Sequence, residues 1–199
     1  ATEEVLSTYN VMSEAEALRA VEATHEAFKD WRKLSHDERA PYLKKIAEKL
    51  RDNKEELAEL MTREVGKLYQ DSLDEVDLCA AIFDWTAGAG PEKLKDETRE
   101  LMDGKKNGVV TYQPIGVIYS VQPWNFPFYQ PVRVLAANLM AGNGNVLKHA
   151  QICTGSALRL KEICEEAGLP KDLFNVVIID HDTSDKLIAH DLVRGVTMT

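Results

Sequence analysis

Two groups of residues in this 199-residue chain have types and spacing suited to chemistry. The first is Pro123-Trp124-Asn125-Phe126-Pro127, a side-chain amide between two prolines. The second is Gly142-Asn143-Gly144-Asn145-Val146-Leu147-Lys148, whose lysine follows Asn125 by twenty-three residues. A carboxamide can donate N–H to a developing oxyanion, an interaction worth about 3 kcal/mol in acyl-transfer sites. Proline fixes its own φ and restricts the residue before it, which suits a side chain that must be aimed before reaction. A lysine at a strand end can hold a sugar hydroxyl or a phosphate. Together they form half of an active site, the half that binds cofactor and stabilises charge; a nucleophile with its base is not evident. Each residue also has a plainer alternative. Asn125 could simply cap the helix expected from Phe128, and local sequence weighs the two evenly. Lys148 taken alone would be an exposed lysine after a strand, and His149 a surface residue rather than an acid–base group.

The elements that must position these residues follow from pattern. Ser13 precedes acidic first-turn residues, and Leu18, Val21, His25, Phe28 and Trp31 mark one helical face. His25 has no partner at metal-ligand spacing, so it is a core or boundary residue. A second helix starts near Ser35 or Asp37. Its apolar spacing continues from Leu43 through Val65 to a stop at Gly66. A third runs from about Ser72 to Ala87 and ends at Gly88 and Gly90-Pro91. Turn chemistry then spans Asp103 to Gly108, followed by β-rich Val109 to Tyr112. From Gly116 strands and helices alternate: strands at 116–121, 145–148, 174–179 and 195–198, helices at 128–141, 155–167 and 184–190. That order implies βαβ crossovers and a parallel sheet, an α/β class. In such sheets ligands bind beyond the carboxyl ends of the strands, where both Asn125 and Lys148 fall. No GxGxxG follows a strand, and Gly142-Asn143-Gly144 precedes one, so it is a turn and not a phosphate loop.

Composition narrows the function classes. A net charge of −9 and a pI near 5.1 argue against nucleic acid as a partner. No run of eighteen apolar residues suggests a membrane span, and Ala1 to Val5 has no basic-then-apolar leader. Cys79, Cys153 and Cys164 are odd in number and widely spaced, as expected of reduced, buried thiols in a cytoplasmic protein with no metal site. Composition and spacing alone stop at an α/β ligand-binding domain.

The same residues resemble the aldehyde dehydrogenase superfamily over nearly the whole chain. The resemblance is carried by Ala27-Phe28-Lys29-Asp30-Trp31, Glu64-Val65-Gly66-Lys67, Pro114-Ile115-Gly116-Val117, the Trp124-Asn125-Phe126 loop, Leu147-Lys148, and Ala167-Gly168-Leu169-Pro170 with Phe174-Asn175-Val176-Val177. The context of Asn125 and Lys148-His149-Ala150 is most similar to the bacterial succinate-semialdehyde dehydrogenases. The resemblance implies a Rossmann-like parallel sheet with flanking helices, truncated relative to the family. It divides the chain into an N-terminal helical part at 1–97, an oligomerisation hairpin at 98–113, and an incomplete dinucleotide-binding core at 114–199. It implies NAD(P)-dependent aldehyde oxidation through a cysteine thiohemiacetal, with NADP or NAD as cofactor and a dimer or tetramer in the complete enzyme. Asn125 would supply the oxyanion amide. Lys148 would bind the adenosine ribose or its 2′-phosphate, while Val121, Gln122, Pro123 and Trp124 line the cofactor cleft. Phe126 and Tyr129 would wall the aldehyde tunnel. Arg133, two helical turns beyond Asn125 and roughly on its face, would hold a substrate carboxylate; its alternative is a structural ion pair.

Two departures stand out. Gln151 occupies the position where the family often has a glutamate against the ribose 2′-hydroxyl, which favours acceptance of NADP. The family's general-base glutamate and nucleophilic cysteine have no counterpart before Thr199, and Cys153 and Cys164 lie in the wrong context. The chain alone is therefore expected to be inactive on succinate semialdehyde, with an exposed sheet edge. The alternatives are a non-catalytic nucleotide-binding module, a split-enzyme subunit or a scaffold, and, within the enzyme class, another short semialdehyde or a hydroxyaldehyde as substrate.

Overall fold

A computed structural model describes residues 5–100 and 107–199. Helix α1 (Glu14–Trp31) opens with a capping box: Ser13 Oγ accepts the Glu16 N–H, and the Glu16 carboxylate accepts the Ser13 N–H at 2.8 Å. Ser35 and Glu38 repeat the device at α2 (His36–Asp52). The apolar spacing from Leu43 to Val65 predicts one helix, but the chain breaks at Asn53, with φ −106° and ψ 15°. Asn53 Nδ2 donates to Lys49 O at 2.8 Å, competing with the backbone ladder, and α3 (Lys54–Val65) starts afresh. Gly66, at φ 69°, ends α3 in the left-handed conformation.

Helix α4 (Tyr69–Lys93) is longer than its pattern predicts and runs through Gly88, Gly90 and Pro91. Gly90 answers a space requirement, since a Cβ there would lie 2.6 Å from Met140 Cγ. Lacking a Cβ, it also relieves the clash that proline imposes on a preceding helical residue. Strands β1 (Glu97–Glu100) and β2 (Asn107–Val110) form an antiparallel hairpin. Most of the turn expected over 103–108 lies outside the described residues.

The parallel sheet comprises β3 (Val117–Gln122), β4 (Gly144–His149), β5 (Phe174–Val176) and β6 (Val193–Met198) in the order β5-β4-β3-β6. The crossovers are α5 (Tyr129–Ala141), α6 (Thr154–Glu166) and α7 (His181–Ile188). The last starts three residues before the expected Ser184, because Asp180 Oδ1 accepts the Thr183 N–H at 2.8 Å. On one face of the sheet Val117, Tyr119 and Val146 pack against Ala17 and Val21 of α1 and Leu187 of α7. On the other, Leu147 and Val176 meet α5 and α6, and behind these lie Leu43, Ile46, Leu50 and Phe83 of α2 and α4.

Helix α5 carries the asparagine loop at its N-terminus, and side chains of the N-terminal helices hold it at both ends. Glu75 of α4 accepts its first amides, as described below. At the other end Trp31 Nε1 donates to Leu139 O at 3.0 Å and Arg39 Nη1 to Met140 O at 2.9 Å. A carboxylate at the amino end and a guanidinium at the carboxyl end both complement the helix dipole. Gly142 follows at φ 93°, with no room for a Cβ, which would lie 2.5 Å from Arg39 Nη2. Asn143 then ties the turn to the entrance of β3: its Oδ1 accepts the N–H groups of Ile115 (2.8 Å) and Gly116 (3.1 Å). The Gly-Asn-Gly segment is thus a structural turn, as its sequence predicts.

Candidate functional site

Strands β3 and β4 are hydrogen-bonded neighbours, with Val121 opposite Lys148 and Gln122 opposite His149. They end at the same edge, so the 123–128 loop and Lys148 arise side by side. Alternation along the strands puts Val121 and Lys148 on the α1/α7 face and Gln122 and His149 on the α5/α6 face. Gln122 is buried, and its Nε2 donates to Ser120 Oγ at 2.9 Å. Pro123 is half-buried, and Trp124 is exposed at the rim.

Asn125 is exposed, and its carboxamide makes no hydrogen bond to the described residues. It does not cap α5. That place belongs to Glu75, a buried residue of α4, whose Oε1 lies 2.9 Å from the amide nitrogens of both Phe128 and Tyr129. The other Glu75 oxygen pairs with Lys67. The Lys67 ammonium stands 3.8 Å from the centroid of the Phe126 ring, a cation–π contact. Lys67, Glu75, Leu78 and Phe126, with Asp71 and Asp74, surround a cleft of about 260 Å³ beside the loop.

His149 is expected at the surface, and the structure corrects this: the residue is only 6% exposed. Its Nε2 lies 2.8 Å from Pro127 O, and its Nδ1 2.9 Å from the Ala150 nitrogen. Burial pushes its pKa down, in favour of the neutral ring. The plainer alternative for Lys148, an exposed lysine after a strand, does not hold either. Only 8% of the residue is accessible, and no carboxylate pairs with it among the described residues.

A lysine whose stem is buried at the ligand edge and whose ammonium has no carboxylate partner among the described residues fits the hydroxyls or phosphate of a nucleotide sugar. Gln151 is exposed on the 3-10 turn 151–153 that follows β4, three residues after Lys148. The helix N-termini at this edge do not offer phosphate sites. Glu75 occupies that of α5 and Asp180 that of α7. At α6, Glu64 accepts from Gly155 N (2.7 Å), Ser156 N (3.0 Å) and Ser156 Oγ (2.6 Å). These carboxylates already neutralise the positive helix ends that bind pyrophosphate in other dinucleotide folds. The residues present therefore fit the sugar end of a dinucleotide.

Phe126 and Tyr129, the residues expected to wall an aldehyde tunnel, meet edge to face, with centroids 5.7 Å apart. Arg133 lies with its Cζ 5.8 Å from the Tyr129 centroid, and its Nη2 donates to Thr199 Oγ1 at 3.1 Å. It makes no ion pair among the described residues. The helical-face argument linking it to Asn125 fails, because α5 begins at Tyr129 and Asn125 precedes it in irregular backbone. The three cysteines are free and buried. Burial, then the charges of Glu64 and Glu75, push the Cys153 thiol up to about 12, and Cys79 and Cys164 are raised as well. None is a competent thiolate at neutral pH.

The supports of the loop, namely Lys67, Glu75 and His149, were not assigned by sequence reasoning. Glu64 and Lys67 belong to a recognised motif, but no local signal tells that their partners lie on other helices.

The family model described as the aldehyde dehydrogenase family matches residues 1–199. This chain belongs to the aldehyde dehydrogenase family. It is 34% identical over 198 residues to a succinate-semialdehyde dehydrogenase [NADP(+)] of Deinococcus radiodurans, covering all of this chain and 41% of that protein. It is 36% identical over 197 residues to malonate-semialdehyde dehydrogenase 2 of Bacillus cereus, covering 99% of this chain and 40% of the relative. Among solved structures, succinic semialdehyde dehydrogenase of Streptococcus pyogenes in complex with NADP+ superposes with a TM-score of 0.94 at 38% identity, over 99% of this chain and 43% of that one. The chain thus spans about two-fifths of the length of the aldehyde dehydrogenases it matches. The fold expected from the strand–helix alternation, a parallel sheet flanked by helices, is the one these relatives share.

Proposed function

We propose that this chain is the cofactor-binding and oxyanion half of an NAD(P)-dependent aldehyde dehydrogenase that oxidises succinate semialdehyde to succinate. The observation that carries the proposal is the common origin of an unengaged carboxamide, Asn125, and the ammonium of the largely buried Lys148, unpaired among the described residues, at the ends of two bonded strands. Asn125 donates N–H to the oxygen of the aldehyde as negative charge builds on it. Lys148 and Gln151 bind the adenosine ribose, with Val121, Gln122, Pro123 and Trp124 forming the wall of the cofactor cleft. Nicotinamide, when bound, accepts the hydride. Phe126 and Tyr129 exclude water from the aldehyde, and Arg133 receives a carboxylate tail in a bidentate fork. The relatives named for succinate and malonate semialdehydes support an acidic short aldehyde as substrate. Gln151, which does not repel a 2′-phosphate, supports NADP over NAD. The 98–113 hairpin joins subunits in a dimer or tetramer.

The 199-residue chain lacks a reactive thiolate, so on this proposal it binds NADP without turning over aldehyde. NADPH formation from succinate semialdehyde by the isolated chain, above a control without protein, would refute that. In the longer protein, Arg133→Ala raises KM for acidic aldehydes at least tenfold more than for neutral ones of equal length. Equal effects on both remove the carboxylate role.

A further inference from the structure

We propose that His149 is a positioning residue that staples both ends of the asparagine loop to β4 and thereby aims Asn125. Nε2 lies 2.8 Å from Pro127 O, an acceptor, and so carries a proton. Nδ1 lies 2.9 Å from the Ala150 nitrogen, a donor, and 3.2 Å from Gln122 O, an acceptor. A tautomer with Nε2 bare would set lone pair against lone pair at Pro127. The Ala150 amide also donates to Gln122 O at 3.0 Å.

The carbonyls of Gln122 and Pro127 therefore converge on one ring and its adjacent amide. They are the last residue of β3 and the residue after Phe126, so the four residues between them, Asn125 included, form a loop pinned at both ends. A pinned loop fixes where its carboxamide points, and an oxyanion donor acts through that direction. The ring is buried against solvent, so water does not compete for either contact. Lys148 next in line faces the opposite side of the sheet, so one dipeptide serves two purposes: the lysine binds and the histidine aims. The inference rests on the reading of Asn125 as the oxyanion donor, and its test separates the two.

Backbone amide hydrogen exchange of the 199-residue chain is measured for the parent, His149→Phe and His149→Gln. Phenylalanine keeps the ring volume and removes both hydrogen bonds, whereas glutamine can still donate to Pro127 O. The expected result is at least a tenfold rise in exchange at Phe128 to Gln130, whose amides are hydrogen-bonded to Glu75 and to Phe126 O, in His149→Phe, partial restoration in His149→Gln, and unchanged exchange in β4 and β5. Unchanged exchange at Phe128 to Gln130 in a folded His149→Phe overturns the staple. The parent chain gives a second measurement should that variant fail to fold: nitrogen-15 shifts of histidine-labelled protein are expected to show Nε2 of His149 protonated, and a bare Nε2 overturns the proposal. In the longer protein His149→Phe is expected to lower kcat about tenfold with KM for the aldehyde within twofold. A loosened loop with unchanged kcat leaves the staple standing but overturns Asn125 as the oxyanion donor.

Discussion

Glu75 Oε1 accepts the backbone N–H of Phe128 at 2.9 Å across 53 residues of chain. The cap of the helix that follows the asparagine loop thus comes from a separate helix, and the loop is set by tertiary packing. Because Glu75 is buried and also pairs with Lys67, its removal strands an ammonium and two amides together. Glu75→Ala should cost about 3 kcal/mol of stability, as when one partner of a buried pair is lost. Glu75→Gln keeps an acceptor and should cost about half as much. Urea unfolding of the two variants checks this, and equal losses for both would mean that the cap itself contributes nothing.

Gln151 offers a test of cofactor choice. A carboxylate about 4 Å from a ribose 2′-phosphate costs between about 1 kcal/mol in water and about 4 kcal/mol near a protein surface. Gln151→Glu should therefore weaken NADP binding at least about fivefold and leave NAD little changed, measured by calorimetry. A similar change for both cofactors would place Gln151 away from the 2′-position. Lys148→Met, by contrast, should weaken both.

Much of this arrangement was legible in the sequence because it is local. Alternation of strand and helix from Gly116 onward, the Ser13 and Ser35 caps and the Gly66 stop all depend on neighbours within a few residues, and the structure reproduces them. The failures share a different cause. Asn53 splits a continuous apolar stripe where its Oδ1 receives Arg159 Nη2 at 3.0 Å, from 106 residues along the chain. Helix α4 outruns its glycines because Gly90 is present to admit Met140, which is fifty residues away. His149 reads as a surface residue until the carbonyls of Gln122 and Pro127 are brought to its ring. Asn125 stood evenly between cap and catalyst on local evidence, and a carboxylate from α4 removed the cap. Residues that contact their own helix or strand were predictable, whereas residues that hold one element against another were not.

The cysteines should be chemically silent in the folded chain. Cys153 sits with its Sγ 3.7 Å from Trp124 O, beneath the loop, and burial raises its pKa to about 12. An ordinary thiol, near about 8.5, is a substantial fraction thiolate at pH 8. A disulfide reagent at pH 8 should label none of the three cysteines in the native chain within minutes, and all three in concentrated urea. Prompt labelling of Cys153 in the native state would show that the loop opens to solvent, and would weaken the case for a pinned Asn125.

His149 gives stability a pH dependence whose sign is fixed by its burial. Burial lowers its folded pKa, against the hydrogen bonds to the Pro127 and Gln122 carbonyls and the charges of Glu64 and Glu75, while the unfolded chain titrates near the ordinary value of about 6.5. Below about pH 6.5 the unfolded chain takes up a proton that the folded chain refuses. The stabilisation is thus complete above the unfolded pKa and is lost as pH falls toward and through the folded one, at up to about 1.4 kcal/mol per pH unit. His36, also lowered by burial, adds a slope of the same sign but is common to parent and variant. Unfolding free energies from about pH 7.5 down to about pH 5, above the range where most carboxylates titrate, should therefore fall more steeply for the parent than for His149→Gln. Parallel curves would mean that the imidazole accepts a proton in the folded state as readily as in water, with Nδ1 donating to Gln122 O, 3.2 Å away, in place of receiving the Ala150 N–H.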